Sequence, residues 1–114
     1  MTTAPTSLST CAGFTVASLD GEIDITNSVE LETELSYAVP NDAQGLILDM
    51  TQVSFIDSSG IRTLFDLASR LHHHQQELRI VLPATSALRR TIGLLQIPAV
   101  IPVFDDLVEA ATEA

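Results

Sequence analysis

The feature that most constrains the fold is a change of periodicity at residues 55–60, which read Phe-Ile-Asp-Ser-Ser-Gly. The apolar run before this segment is typical of a buried strand, and from Ile61 onwards the apolar residues have the spacing of an amphipathic helix. Ser58 and Ser59 therefore lie where a strand leads into a helix N-terminus, at which free N–H groups favour negative charge, including phosphate. A serine in this position is a helix cap, a nucleophile or a switch.

Strand-like and helix-like segments alternate along the whole chain. Apolar patterning predicts a short edge strand at residues 8–11 and further strands at 14–19, 46–48, 78–82 and 100–103. Helical spacing predicts four helices, which begin near Asn27, Ile61, Ser86 and Asp105. This alternation indicates one α/β domain with a single mixed, mostly parallel sheet of four to five strands and about four helices. We expect residues 1–7 to be a flexible N-terminus and residues 8–114 to form the domain.

Three local signals give more detailed expectations. The Asp-Gly pair at 20–21 is typical of a tight turn, beyond which residues 22–24 continue extended. Asn27 followed by Glu30 resembles a capping box at the start of the first helix. Asp105 is expected to cap the last helix.

The charge of the chain is strongly acidic and unevenly distributed. Its 114 residues include 15 acids and five bases, all of them arginine, which gives a net charge of −10. Residues 1–61 contain nine acids and no base, whereas residues 62–114 contain six acids and the five arginines. This balance argues against nucleic acid and against an anionic membrane surface as partners, because both attract basic patches. A protein partner with a basic rim fits the chain better.

Cysteine usage and hydropathy indicate a cellular location. Cys11 is the single cysteine, so an internal disulfide is impossible. The first basic residue is Arg62, so the positively charged start of a signal peptide is missing, and no apolar run approaches membrane-spanning length. We therefore expect a cytoplasmic protein, and nothing in the sequence calls for a cofactor.

Polar residues follow two of the predicted strands. Asp24 and the turn at 57–60 each come after a strand and before a helix, so both are expected at the carboxyl edge of a parallel sheet. The candidate cluster at this edge comprises Asp24, Asp57, Ser58 and Ser59. A purely structural interpretation is also open, in which the serines cap the helix and Asp24 binds neighbouring N–H groups. Gly60 is expected to let another part of the backbone approach closely.

Neither hydrolysis nor metal chemistry is indicated. The consecutive residues His72, His73 and His74 point about 100° apart on a helix and do not readily close on one ion, so we expect a solvated helix end. A serine hydrolase needs a base near its serine, but these histidines lie roughly 20 Å from the serines at 1.5 Å per helical residue. A phosphoryl-accepting receiver domain needs a lysine, which the chain lacks. We therefore expect neither an enzyme nor a metal site.

Four blocks of sequence occur in the order in which one protein family has them. They are Gly-Glu-Ile-Asp at 21–24, Leu-Ile-Leu-Asp at 46–49, Val-Ser-Phe-Ile-Asp-Ser-Ser-Gly at 53–60 and Phe-Asp-Asp-Leu-Val-Glu-Ala at 104–110. Together they resemble the STAS-domain anti-sigma factor antagonists, the anti-anti-sigma factors of bacteria, from about Phe14 to Ala111. A STAS-like domain is therefore the expected fold.

The resemblance implies a switch rather than an enzyme. In that family an anti-sigma factor with a serine-kinase fold phosphorylates the serine directly after the aspartate, which here is Ser58. The unmodified protein binds the anti-sigma factor and so frees a sigma factor, whereas the phosphorylated form dissociates until a serine phosphatase resets it. Asp24, Asp57, Ser59 and Gly60 are then expected to support the switch and to contact the partner.

Two matters stay open at this stage. STAS domains also serve as non-phosphorylated interaction modules in transport and other regulatory complexes, and this is the alternative function. Incorporation of phosphate at Ser58 distinguishes the two functions. The oligomeric state is open between a monomer and a weak dimer.

Overall fold

The computed structural model, which describes the backbone of residues 5–113 and the side chains of residues 7–113, contains one sheet and four α-helices. The strands are β1 (Pro5–Cys11), β2 (Phe14–Ile23), β3 (Gly45–Ile56), β4 (Glu77–Val81) and β5 (Val103–Phe104). The α-helices are α1 (Ser28–Ala38), α2 (Ser58–His73), α3 (Ala87–Leu94) and α4 (Leu107–Thr112). A short 3₁₀ helix lies at Ile97–Ala99.

The strands lie side by side in chain order, from β1 to β5. β1 runs antiparallel to β2, and the other three neighbouring pairs are parallel. Parallel neighbours need a crossover between them, and α1, α2 and α3 each form one of the three crossovers. This mixed, mostly parallel sheet with four helices confirms the predicted fold class.

Helices pack on both faces of the sheet. The helices α1, α2 and α3 cover one face through a large aliphatic core, to which α2 contributes Leu64, Leu67 and Leu71. On the other face α4 packs its Ala110 and Ala111 into a smaller apolar cluster. The residues of β3 from 45 to 48 are buried on both sides, which explains their continuous apolar run in the sequence.

A buried arginine joins α4 to the sheet. Arg79 on β4 donates hydrogen bonds to the carbonyl oxygen of Ala110 (2.6 Å) and to a carboxylate oxygen of Glu77 (3.0 Å). Its guanidinium lies 4.7 Å from the ring centroid of Phe14 and 5.8 Å from that of Phe104. Because a flat guanidinium stacks well on aromatic rings, this one side chain ties together β2, β4, β5 and α4.

Several segment boundaries differ from the predicted ones, and β3 in particular continues to Ile56, beyond the predicted strand at 46–48. β1 begins at Pro5, so residues 5–7, expected to be flexible, belong to a strand paired with β2, and residues 1–4 lie outside the described residues. β2 continues through the Asp-Gly pair without reversing, because Gly21 takes a φ of +91° and the chain passes through irregular pairing with β3. The last strand lies at Val103–Phe104 rather than at 100–103.

The predicted capping box at Asn27 does not form. Asn27 stands at the N-cap position of α1, but its side chain makes no cap hydrogen bond. Its Oδ1 instead accepts from the N–H of Asp24 (3.0 Å), and its Nδ2 donates to the carbonyl oxygen of Glu22 (2.8 Å). The buried amide therefore ties the end of β2 to the start of α1, a tertiary role that outweighs capping.

The cap of the last helix lies one residue after the predicted position. Asp106 is the N-cap of α4, and its carboxylate accepts from the N–H of Glu109 (2.8 Å). Asp105, predicted as the cap, instead accepts from Nη1 of Arg89 (2.9 Å) and from the N–H of Ala84 (3.2 Å). Two adjacent aspartates offered the same local signal, and the contact with α3 decides between them.

Candidate functional site

The ends of β2 and β3 meet the N-termini of α1 and α2 at the carboxyl edge of the sheet. The N–H of Asp57 donates to the carbonyl oxygen of Ile23 (3.1 Å), and the N–H of Ile25 donates to Oδ2 of Asp57 (3.2 Å). These two hydrogen bonds join the loop at 24–27 to the turn at 57–60. The two segments that were expected to meet at this edge therefore do so.

Asp57 is the N-cap of α2. Its Oδ1 accepts from the hydroxyl of Ser59 (2.6 Å) and from the N–H of Gly60 (3.0 Å), while Oδ2 accepts from Ile25. Hydrogen bonds to a carboxylate favour its ionised form. The Ser59 hydroxyl contributes most, followed by the Gly60 N–H, and together they hold the pKa of Asp57 below its ordinary value of 3.8. The helix therefore begins on a carboxylate that is anionic at neutral pH.

The two serines have different environments. Ser59 is half-buried, and its hydroxyl is committed to the carboxylate of Asp57. Ser58 is the first residue of α2 and is exposed, and its hydroxyl has no hydrogen-bond partner among residues 7–113. The structural interpretation of a serine at a helix start thus fits Ser59, which braces the cap. Modification of the Ser58 hydroxyl would therefore break no hydrogen bond among these residues.

Asp24 shapes the loop that precedes α1. Its Oδ1 accepts from the N–H of Thr26 at 2.9 Å and also from the Thr26 hydroxyl. Its carbonyl oxygen accepts from the N–H groups of Asn27 (3.1 Å) and Ser28 (2.9 Å). The local hydrogen-bonding interpretation therefore describes this side chain. Its connection to the turn at 57–60 runs through the neighbouring residue of the loop, whose N–H binds Asp57.

Gly60 is buried between the ends of two strands. A Cβ at this position would lie 2.6 Å from Cγ1 of Ile56, 2.9 Å from Cγ2 of Ile23 and 3.1 Å from the Ile23 carbonyl oxygen. Contacts this short leave no room for a side chain, so the glycine lets α2 begin directly against the sheet. The expected close approach exists, although isoleucine side chains make most of it.

Large apolar side chains are exposed in the segments that form this edge. Ile25 in the loop is 77% exposed, Val29 in the first turn of α1 is 75% exposed, and Phe55 near the end of β3 is 47% exposed. Exposed apolar groups beside polar ones are typical of protein-binding surfaces. Sequence reasoning missed these three residues. The available signal was Ile25 itself, an isoleucine between two polar residues of a loop.

The histidines lie at the far end of α2. His72, His73 and His74 are all exposed, and 14 residues, about 21 Å along the helix, separate the first of them from Ser58. Within residues 7–113, no group of three or more His, Cys, Asp or Glu side chains is arranged to hold a metal ion. In the same part of the chain, no helix combines the length and the apolar character needed to cross a membrane.

Comparisons with known proteins agree on one family. A sequence model of the STAS domain matches residues 7–110. The anti-sigma-F factor antagonist RsfB of Mycobacterium tuberculosis is 28% identical over 101 residues, which make up 88% of this chain and 80% of RsfB. BtrV of Bordetella bronchiseptica is 32% identical over 66 residues, which make up 58% of this chain but only 57% of BtrV.

A solved structure gives the same result in three dimensions. The crystal structure of an anti-sigma factor antagonist from Mycobacterium paratuberculosis is similar with a TM-score of 0.79 and 25% sequence identity, over 93% of this chain and 89% of that one. The five-stranded mixed sheet and the four helices are thus shared along nearly the whole length of both chains. The chain belongs to the STAS domain family, and its resemblance to the anti-sigma factor antagonists is confirmed.

Proposed function

We propose that this protein is a cytoplasmic anti-sigma factor antagonist, and that phosphorylation of Ser58 switches off its binding to an anti-sigma factor. The observation that carries the proposal is the exposed hydroxyl of Ser58 at the first position of α2, directly after the anionic cap Asp57, with no hydrogen-bond partner among residues 7–113. The class of partner follows from the similarity to RsfB, an anti-sigma-F factor antagonist, over most of the chain.

In the proposed reaction the protein is the substrate and not the catalyst. An anti-sigma factor with a serine-kinase fold transfers the γ-phosphoryl group of ATP to Oγ of Ser58, the hydroxyl proton passes to a base of the kinase, and ADP leaves. A serine phosphatase hydrolyses the phosphate ester and restores the hydroxyl. Neither step needs a catalytic residue or a cofactor from this chain.

Binding of the unmodified protein would use the exposed apolar residues beside the switch. Ile25 in the loop joined to Asp57 and Phe55 near the end of β3 present exposed apolar surface at the edge that contains Ser58, and the carboxylates of Asp24 and Asp57 lie at the same edge of the sheet. Burial of apolar side chains stabilises a complex, and an acidic surround favours a partner with basic groups. Asp57, Ser59 and Gly60 position the start of α2, and so present Ser58 to the partner.

Phosphorylation is expected to act on binding and to leave the fold intact. The phosphate adds about −1.5 to −2 charges at neutral pH beside Asp57, in a half of the chain that already has nine acids and no base. Among the described residues the Ser58 hydroxyl has no hydrogen bond to lose, and the N-terminus of α2 offsets part of the added charge. In a closed interface the phosphate would be desolvated against apolar groups. A loss of about 3 kcal/mol weakens affinity more than a hundredfold, which is enough for a switch.

The test compares Ser58→Ala, Ser58→Asp and, as the matched control, Ser59→Ala. We expect Ser58→Ala to bind the cognate anti-sigma factor as tightly as the wild type and to accept no phosphate from it. Ser58→Asp carries only one negative charge and no phosphate bulk, so we expect at least a tenfold weaker complex, about 1.4 kcal/mol. Isothermal titration calorimetry measures binding, and intact mass after incubation with kinase and ATP measures phosphorylation.

The control separates the two serines. Ser59→Ala removes the hydroxyl that braces Asp57 but leaves Ser58 in place, so we expect it still to gain one phosphate. If Ser58→Ala is phosphorylated like the wild type, Ser58 is not the acceptor. If the wild type gains no phosphate yet binds another partner stably, the chain is a non-phosphorylated STAS interaction module.

A further inference from the structure

Arg62 is the first basic residue of the chain and lies one helical turn after Ser58. Its side chain is 84% exposed, and its partner is Asp66, with Nε and Oδ2 separated by 4.0 Å. A gap of this size between exposed side chains is a weak ion pair. The next base along the chain, Arg70, pairs instead with Glu32 on α1 at 3.5 Å. Arg62 is thus the base of α2 that is both nearest to Ser58 in the chain and loosely held.

We propose that Arg62 receives the phosphate of Ser58: on phosphorylation its guanidinium exchanges Asp66 for the phosphate one turn earlier on the same helix. This inference rests on the proposed function for the presence of the phosphate. It adds a residue to the switch, because it says which side chain of this protein meets the added negative charge.

The direction of side chains on a helix supports this exchange. Residues four apart have their Cβ atoms about 6 Å from each other, and side chains on a helix lean toward its N-terminus. The Cα–Cβ bond of Arg62 is therefore tilted toward the turn that contains Ser58. An acid placed four residues before a base is the favourable order. Phosphoserine 58 followed by Arg62 has that order, whereas Arg62 followed by Asp66 has the reverse.

The chemistry of the groups points the same way. A guanidinium offers paired N–H donors that match the oxygens of a phosphate, and such charge-assisted hydrogen bonds are stronger than neutral ones. The carboxylates of Asp57 and Asp24 lie at the same edge of the sheet as Ser58 and are held by hydrogen bonds within the site. Both repel a phosphate. Arg62 is therefore the side chain that compensates the new charge.

The experiment uses the full chain with phosphoserine installed at position 58 by genetic-code expansion, so that no kinase is required. The ³¹P NMR signal is followed against pH in the wild type, Arg62→Gln, Arg62→Lys and the control Arg70→Gln. The control changes the net charge equally on the same helix, at a residue about 18 Å from Ser58 along the helix axis. We expect the second pKa of the phosphate to be about 0.3 higher in Arg62→Gln than in the wild type.

The remaining variants decide whether the effect is a local pair. We expect Arg62→Lys to restore at least half of the difference and Arg70→Gln to leave the pKa of the phosphate unchanged. The proposal is overturned if Arg62→Gln titrates like the wild type, or if Arg70→Gln produces the same shift. Failure of a natural kinase to modify Ser58 would instead contradict the proposed function, and would leave this NMR result intact.

Discussion

At the scale of single residues, the site divides labour between two adjacent hydroxyls. The Ser59 hydroxyl donates a hydrogen bond to Asp57, and this bond helps to keep the cap ionised. Ser58, one position earlier, is the first residue of α2, and its hydroxyl has no hydrogen-bond partner among residues 7–113. Modification of Ser58 can therefore change the surface without loosening the helix start. If Ser59 were the acceptor instead, each phosphorylation would remove the hydrogen bond that its hydroxyl donates to Asp57.

The lowered pKa of Asp57 makes the stability of the protein depend on pH. Because the folded-state pKa lies below the ordinary value of 3.8, the ionised cap contributes stability above pH 3.8. That contribution is lost as pH falls through the lowered folded-state value. Asp57→Asn keeps an oxygen that can accept from Ser59 but does not titrate. We expect the wild type to be more stable than Asp57→Asn at pH 7, and the difference to shrink below pH 3.8.

Urea unfolding at a series of pH values measures this difference. Ser59→Ala provides a second check, since it removes the largest cause of the lowered pKa of Asp57. In that variant the folded-state pKa of Asp57 lies closer to 3.8, so the stability lost in acid should be smaller, and the loss should be complete at a higher pH than in the wild type. A difference between wild type and Asp57→Asn that stays constant from pH 7 to pH 3 would show that the carboxylate charge does not stabilise the helix.

At the scale of elements, what the sequence predicted depended on burial. The start of β3 and the apolar stripe of α2 were predicted, because the first is buried on both faces and the second is continuous, and both patterns are visible locally. The junction between them placed Asp57 and Ser58 at the sheet edge for the same reason. The more exposed continuation of β3 to Ile56 was not predicted. The capping signals did not predict the roles of Asn27 and Asp105, because Asn27 binds backbone groups of residues 22 and 24 just before α1, and Asp105 binds Arg89 on α3. Local capping signals were equally consistent with both outcomes.

Substitution of Gly60 measures how closely the start of α2 packs against the sheet. In Gly60→Ala the new methyl group would meet Ile56 and Ile23 at less than 3.0 Å, so the start of α2 must shift. We expect a loss of about 1–3 kcal/mol in the free energy of unfolding, the usual cost of overpacking. Phosphorylation of Ser58 by its kinase should also slow, because the same shift displaces the acceptor.

Gly93 offers a matched control in α3. A Cβ at Gly93 would have no atom within 4 Å, and alanine favours a helix over glycine, so Gly93→Ala should gain up to about 1 kcal/mol. Urea denaturation at pH 7 compares the two variants directly. If Gly60→Ala were as stable as Gly93→Ala, the start of α2 would not be packed as closely as the structure has it.

At the scale of the whole molecule, most arginines of the described residues are paired with carboxylates of the same chain. Among the described residues, four of the five arginines lie within 4.0 Å of a carboxylate. The acids exceed these partners by a wide margin, since the net charge is −10. The acidic half of the chain also supplies β1, β2, α1 and β3, and with them the loop that faces the switch. The charge around this edge of the sheet is therefore negative before any phosphate is added.

Salt should change stability and partner binding in opposite directions. Repulsion among the excess carboxylates opposes the compact state, and salt screens it, with a Debye length of about 10 Å at 0.1 M and about 3 Å at 1 M. We therefore expect the urea midpoint of the isolated protein to rise between 0.02 and 0.5 M KCl. Chloride is used because sulfate would stabilise the fold by exclusion from its surface.

Over the same range the association rate with the anti-sigma factor should fall, since attraction between an acidic edge and a basic partner is screened too. Stopped-flow measurement of association tests this second part. An association rate that rises with salt would mean that the partner presents acidic groups to this edge, and a midpoint that falls would mean that attractive ion pairs outweigh the repulsion.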